Sequence, residues 1–124
     1  MIHILAIGIG GALGALSRYW MVETVNQQLG RDFPYGTITV NIVGCLAAGF
    51  LSVLLIEKLN LSAEWRSALL VGFLGAFTTF SAFTMDTWSL IETGESFRAL
   101  MNIMLTVTVC LTANWAGMIA ARQF

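Results

Sequence analysis

Apolar residues in this chain do not alternate with polar ones; they gather into long blocks separated by short polar links. Residues 4–17 are uncharged, and Arg18 is the only charge between His3 and Glu23. Residues 33–56, 67–85 and 99–121 carry no charge at all. A helix needs about 20 apolar residues to cross a hydrocarbon core of roughly 30 Å. The blocks predict four such helices, near residues 2–22, 34–56, 67–90 and 98–121. Transmembrane barrel strands would be about half that length and would alternate in polarity. The expected fold class is an all-α membrane protein, one four-helix transmembrane domain over residues 1–124.

The links agree with that division. The stretch from Asn26 through Gly30 to Asp32 is expected to break the first helix. Pro34, the only proline, suits the first turn of the second. Residues 57–64 form a polar link in which Ser62 is placed to cap the third helix. Residues 92–96 read as a turn, with Ser96 as cap for the fourth. Tyr19, Trp20, Tyr35, Trp65, Trp88 and Trp115 gather near the block ends, as headgroup-level aromatics do. The first block has small residues where a signal peptidase would cut, but only His3 precedes it, without a positively charged start. It reads as a retained helix.

Composition narrows the function classes. The chain is 57% hydrophobic and 10% charged, against roughly 25% charged in soluble domains. Its formal net charge of −1, with six scattered Lys and Arg, leaves no basic patch to neutralise phosphates. One His and two separated Cys exclude a zinc site, a bis-His haem and a disulfide framework. With four spans, Lys58, Arg66 and Arg122 share one side, while Arg31 and Arg98, joined by Arg18 if it snorkels outward, share the other. The positive-inside bias is close to nil. Charge alone leaves two readings open: orientation set by a partner or the insertion machinery, or insertion both ways with antiparallel self-pairing.

Small residues mark where helices meet. Gly8, Gly11 and Gly14 recur at threefold spacing, Gly10 and Gly14 form GxxxG, and Gly44 and Ala48, then Ala113, Gly117 and Ala121, make stripes on the second and fourth blocks. The GIGGALG segment is one residue off a dinucleotide loop and follows no strand, so packing is the expected role.

Polar residues at membrane depth must be satisfied or functional. Arg18 fits either an interfacial anchor or a positive vestibule that concentrates anions. Thr37 and Asn41 stack one turn apart on the second block, as interhelical glue or as donors to an anion. Asn102, Thr106 and Cys110 form a stripe on the fourth block, with Thr108 and Thr112 off its line. Such a stripe serves structure or a pore wall. The third block reads GFLGAFTTFSAFTMD over residues 72–86. Two glycines and two consecutive threonines make poor helix near the middle of a span. Broken backbone at that depth survives only where it is buried or lines a polar cavity, and freed carbonyls there suit a small hard cation. Phe80 and Phe83 lie one turn apart; their electropositive ring edges offer an anion contact without a trapping charge.

On three segments the chain resembles the Fluc, or CrcB-type, fluoride channels: GALSRYW with Arg18, GTITVNIVG with Thr37 and Asn41, and above all GFLGAFTTFSAF. The resemblance covers all four blocks. It implies an antiparallel, dual-topology homodimer with two pores, whose partners are a second copy, fluoride and the bilayer, with no nucleic acid. It implies a third helix broken near its middle and a structural, non-transported Na+ at the dimer centre, held by the backbone carbonyls of Gly75 and Thr78. Phe80 and Phe83 would form an aromatic box, Asn41 would donate to fluoride, Arg18 would sit in the vestibule, and Thr37, Thr79, Ser81, Asn102 and Thr106 would line the path. The implied activity is passive fluoride export across the bacterial plasma membrane, protecting the cell after HF enters and dissociates. Two departures stand out. Asn102 and Thr106 occupy positions where a tyrosine and a serine are expected, and Cys110 replaces a further hydroxyl. Asp86 stands where a glutamate is common.

A proton-coupled multidrug antiporter of the small multidrug resistance type is the rival reading, but it needs a membrane-embedded carboxylate. The first block has none, and Asp86 is near the end of the third. An accessory subunit leaves TTFSAF unexplained. No nucleophile–base pair or metal set suggests an enzyme.

Overall fold

In lipid each backbone N–H and C=O needs a partner inside the protein, and the chain meets that demand with helix almost throughout. The computed structural model describes residues 1–124. Helix α1 runs Ile2–Leu29 and α2 runs Tyr35–Lys58. The third apolar span, Ala63–Glu92, holds α3 (residues 63–77) and α4 (Phe80–Glu92). Helix α5 runs Ser96–Arg122. All four spans are long and apolar enough to cross a membrane. Residues 53–58 of α2 and 67–74 of α3 are wound to the wider π pitch.

The spans run up and down in sequence order. His3 shares a 2.7 Å hydrogen bond with Ser67, and Arg122 lies 3.8 Å from Glu57, so both termini meet the 59–62 link at one end. At the other end Arg98 donates to the Asp32 carbonyl at 3.3 Å.

Helix α1 outlasts its expected end at residue 22 by about two turns, because residues 23–29 are polar without being hostile to helix. Thr24 bonds back to the Trp20 carbonyl at 2.8 Å, and Glu23 is bridged by Arg31 at 3.1 Å. Helix α1 stops only at Gly30, whose φ of 91° leaves the helical region. At the rise of an α-helix its 28 residues span about 42 Å, so its end stands clear of the hydrocarbon. Asn26, expected as a breaker, instead accepts the Gly36 N–H at 3.2 Å and ties α1 to the start of α2. Neither serine caps as expected: Ser62 holds the cap position of α3 without a side-chain bond, and Glu95, not Ser96, precedes α5.

Glycines set the helix spacing. A Cβ on Gly10 would fall on the Ala68 carbonyl oxygen and one on Gly14 on that of Phe73, so the GxxxG pair is where α1 meets α3. Gly8 faces open space; the GIGGALG segment lies inside a helix, as packing requires. Gly117 of α5 abuts the Leu46 carbonyl of α2, and Gly49 of α2 abuts the backbone of Asn114. Tyr19, Trp20, Trp65, Trp88 and Trp115 all point outward.

Candidate functional site: a donor-lined cleft

Between α3 and α4 the chain is extended at Thr78 (φ −83°, ψ 156°) and Thr79 (φ −148°, ψ 115°). The reason is local: β-branched side chains lose rotamers in helix, and here a neighbour offers the backbone an alternative. Asn41 on α2 supplies it. Its Nδ2 donates to the Thr79 carbonyl at 3.0 Å, and its Oδ1 accepts the Thr79 N–H at 2.8 Å. One amide thus replaces both hydrogen bonds that the helix would have given Thr79. The Thr79 hydroxyl caps α4 by accepting the Ala82 N–H at 3.1 Å and pairs with Ser81 Oγ at 3.2 Å.

The carbonyls of Gly75 and Thr78 lose their helical donors. Those donors would be Thr79, whose N–H turns to Asn41, and Ala82, whose N–H turns to Thr79 Oγ1. Gly75 is exposed and Thr78 half-buried. Carbonyl oxygens released at the break, with no acidic, His or Cys trio anywhere in the chain, are a donor set suited to a hard cation rather than a soft one.

Beside the break lies a cleft of about 410 Å³. Asn41, Thr78, Thr79, Phe80, Phe83, Thr106 and Cys110 line it, with Cys45 and Asn114. No lining residue is charged. The rings of Phe80 and Phe83 touch, with centroids 5.4 Å apart and planes tilted by 50°. Phe83 is 7% exposed, whereas Phe80 is 75% exposed at the rim.

A buried polar string continues from Phe83 along α5. Thr87 donates to the Phe83 carbonyl at 2.8 Å, Asn102 Nδ2 donates to Thr87 Oγ1 at 2.9 Å, and Thr106 donates to Asn102 Oδ1 at 3.3 Å. An amide has two N–H donors; Asn41 and Asn102 each use one within the protein.

Several expected residues lie apart from the cleft wall. Thr37 is buried one turn before Asn41, Asn102 reaches the cleft only through Thr106, and Ser81 only through Thr79. Arg18 is half-buried on α1, its Nε enclosed without a hydrogen-bond partner. Asp86 lines a small recess of about 100 Å³ with Arg31, Asp32 and Ser89, at the end of the molecule where α1 joins α2. Two residues escaped the sequence reading. Thr87 sits one turn past Phe83, and Asn114 donates to the Cys45 carbonyl at 3.0 Å. Asn114 is an amide inside an uncharged block, the criterion that singled out Asn41 and Asn102.

The family model described as CrcB-like protein, Camphor Resistance (CrcB), matches residues 5–118. A protein of Methylococcus capsulatus named fluoride-specific ion channel FluC is 48% identical over 122 residues, covering 98% of this chain and 54% of the relative. The chain therefore spans about half of that relative. Proteins of the same name from Hydrogenovibrio crunogenus and Geobacter sulfurreducens are 45% and 43% identical. The first match covers 100% of this chain and 94% of the relative, the second 99% of each.

Proposed function

This chain belongs to the CrcB-like family, and from that premise we propose that it is a fluoride-selective channel rather than an enzyme. Its role is passive fluoride export across a bacterial inner membrane. The observation that carries the reading is the uncharged cleft: amide, hydroxyls and two touching phenylalanines and no titratable cation. Fluoride is small and strongly hydrated, so its path needs donors strong enough to replace water and weak enough to release it. A buried Lys or Arg would hold the anion. Hydroxyls, a spare amide proton and ring edges pass it on.

The mechanism divides among the residues. Asn41 holds the chain open at Thr79 and offers its second N–H. Thr106 exchanges its bond to Asn102 for one to the ion, and Thr87 holds the Asn102 amide in place to take the hydroxyl back. Phe80 and Phe83 present ring edges. Thr37, Thr79 and Ser81 supply hydroxyls along the same track, and Arg18 raises the anion concentration at the mouth.

Association as an antiparallel homodimer is part of the proposal. Phe80, on the cleft wall yet 75% exposed, gains a second wall only from a second molecule, and the near-zero charge bias allows insertion in both orientations. The free carbonyls of Gly75 and Thr78 fit a structural Na+ shared at the two-fold axis, where the ion would supply positive charge and a cross-link between the two copies.

The test is fluoride efflux from liposomes containing the purified protein in sodium buffer, with chloride as control. Fast fluoride loss without chloride loss is expected. No flux from assembled protein refutes the proposal.

A further inference from the structure

Cys45 on α2 and Cys110 on α5 are free thiols that line the same cleft as Asn41 and Thr106. Their side chains are neighbours in that cleft. The helices that carry them are fixed at this level. Asn114, one turn beyond Cys110, holds the Cys45 carbonyl, and the Gly49 and Gly117 contacts press α2 and α5 together. The backbones that carry the two thiols are therefore held side by side.

The chemistry of the pair is selective. No third His, Cys, Asp or Glu joins the two thiols, which excludes the four-ligand shell of structural zinc. Thiolates favour soft metals, and soft d10 cations accept two sulfurs in a line. Charge then chooses among them. With no charged residue on the cleft wall, a complex bearing net charge is costly to hold in an apolar setting. One divalent cation with two thiolates is neutral.

We propose that Cys45 and Cys110 form a two-thiolate site for a soft divalent d10 cation, which bridges α2 to α5 and closes the cleft. On binding Hg2+, two S–H bonds break, two Hg–S bonds form, two protons pass to water, and no atom changes oxidation state. Closure of the ion path rests on the channel reading above; the metal site does not.

The probe is Hg2+ added at one equivalent per chain to the purified, assembled protein. Free thiols are counted by a chromogenic disulfide reagent after denaturation. Both thiols are expected to vanish together, and Cys45→Ala and Cys110→Ala are each expected to lose tight Hg2+ retention against a small-thiol competitor. One thiol left free per chain, or retention undiminished in either variant, overturns the site. In liposomes the same addition is expected to abolish fluoride flux, with dithiothreitol restoring it, and to spare Cys45→Ala measured against its own untreated flux. Unaltered wild-type flux with both thiols bridged overturns the closure. Protein that conducts nothing before Hg2+ is added counts against the channel reading alone, since the thiol count needs no transport.

Discussion

Asn41→Leu keeps the branching of the side chain while removing both partners of the Thr79 peptide groups, whose N–H and carbonyl otherwise bond Asn41 at 2.8 and 3.0 Å. Side-chain hydrogen bonds between membrane helices average about 0.6 kcal/mol and reach about 1.7. Two of them, at a residue only 7% exposed, put the cost at about 1–3 kcal/mol. Asn114→Leu is the internal standard: it removes one bond, to the Cys45 carbonyl at 3.0 Å, from a less buried site, and should cost about half as much. The assay is reversible unfolding of both variants in mixed micelles with increasing denaturing detergent. A loss under about 0.5 kcal/mol for Asn41→Leu, or one no larger than that of Asn114→Leu, would show that the extended backbone at Thr79 does not depend on the amide.

Other expectations follow from the same geometry. Gly14→Ala should destabilise by about 1–3 kcal/mol, since its Cβ meets the Phe73 carbonyl, while Gly8→Ala, facing open space, should be neutral or gain up to about 1 kcal/mol of helix propensity; a thermal-unfolding series in micelles separates them, and equal effects would contradict the packing. Phe80→Ile should abolish fluoride flux in liposomes with little change in unfolding, because the ring is 75% exposed in the chain; undiminished flux would remove the aromatic pair from the mechanism. Asn41→Asp should block conduction by setting a like charge against the anion, and normal throughput would take Asn41 off the path. Thr87→Val should cost about 1 kcal/mol and slow flux by releasing Asn102, whose Nδ2 loses its acceptor; rescue by Thr87→Ser, which restores the hydroxyl, separates this from a packing defect.

The four spans were legible because lipid leaves a coarse mark: a charge within a span is expensive, so uncharged blocks alone divide the chain. Helix ends were less legible. The sequence predicts a first helix ending near residue 22 and a break within residues 26–32. Polarity only removes a segment from hydrocarbon without unwinding it, so the helix runs on to Gly30, whose positive φ stops it inside that stretch. The threonines at 78 and 79 advertised weak helix by their type. What their sequence does not carry is the partner that makes an alternative possible, because Asn41 meets Thr79 across 38 positions. The cleft was legible as residue types, in Asn41, Phe80, Phe83 and Thr106, whereas the indirect placement of Asn102 and Ser81 depends on rotamers that only packing decides. Thr87 was hidden by its ordinariness, as a threonine in a helix normally bonds its own backbone; this one does so and also accepts from Asn102.

The Asn41–Thr79 pairing has a consequence for how the chain enters the bilayer during synthesis. The third span is not self-sufficient, since both peptide groups of Thr79 find their partner on α2, and lipid provides none. A ribosome releases residue 41 well before residue 79, so the amide is already resident when the incomplete span arrives. Reversing that order, by circular permutation that makes the third span emerge ahead of the second, would leave an open backbone waiting in hydrocarbon and should lower the insertion yield. The order of the spans in the gene thus does part of the work of folding.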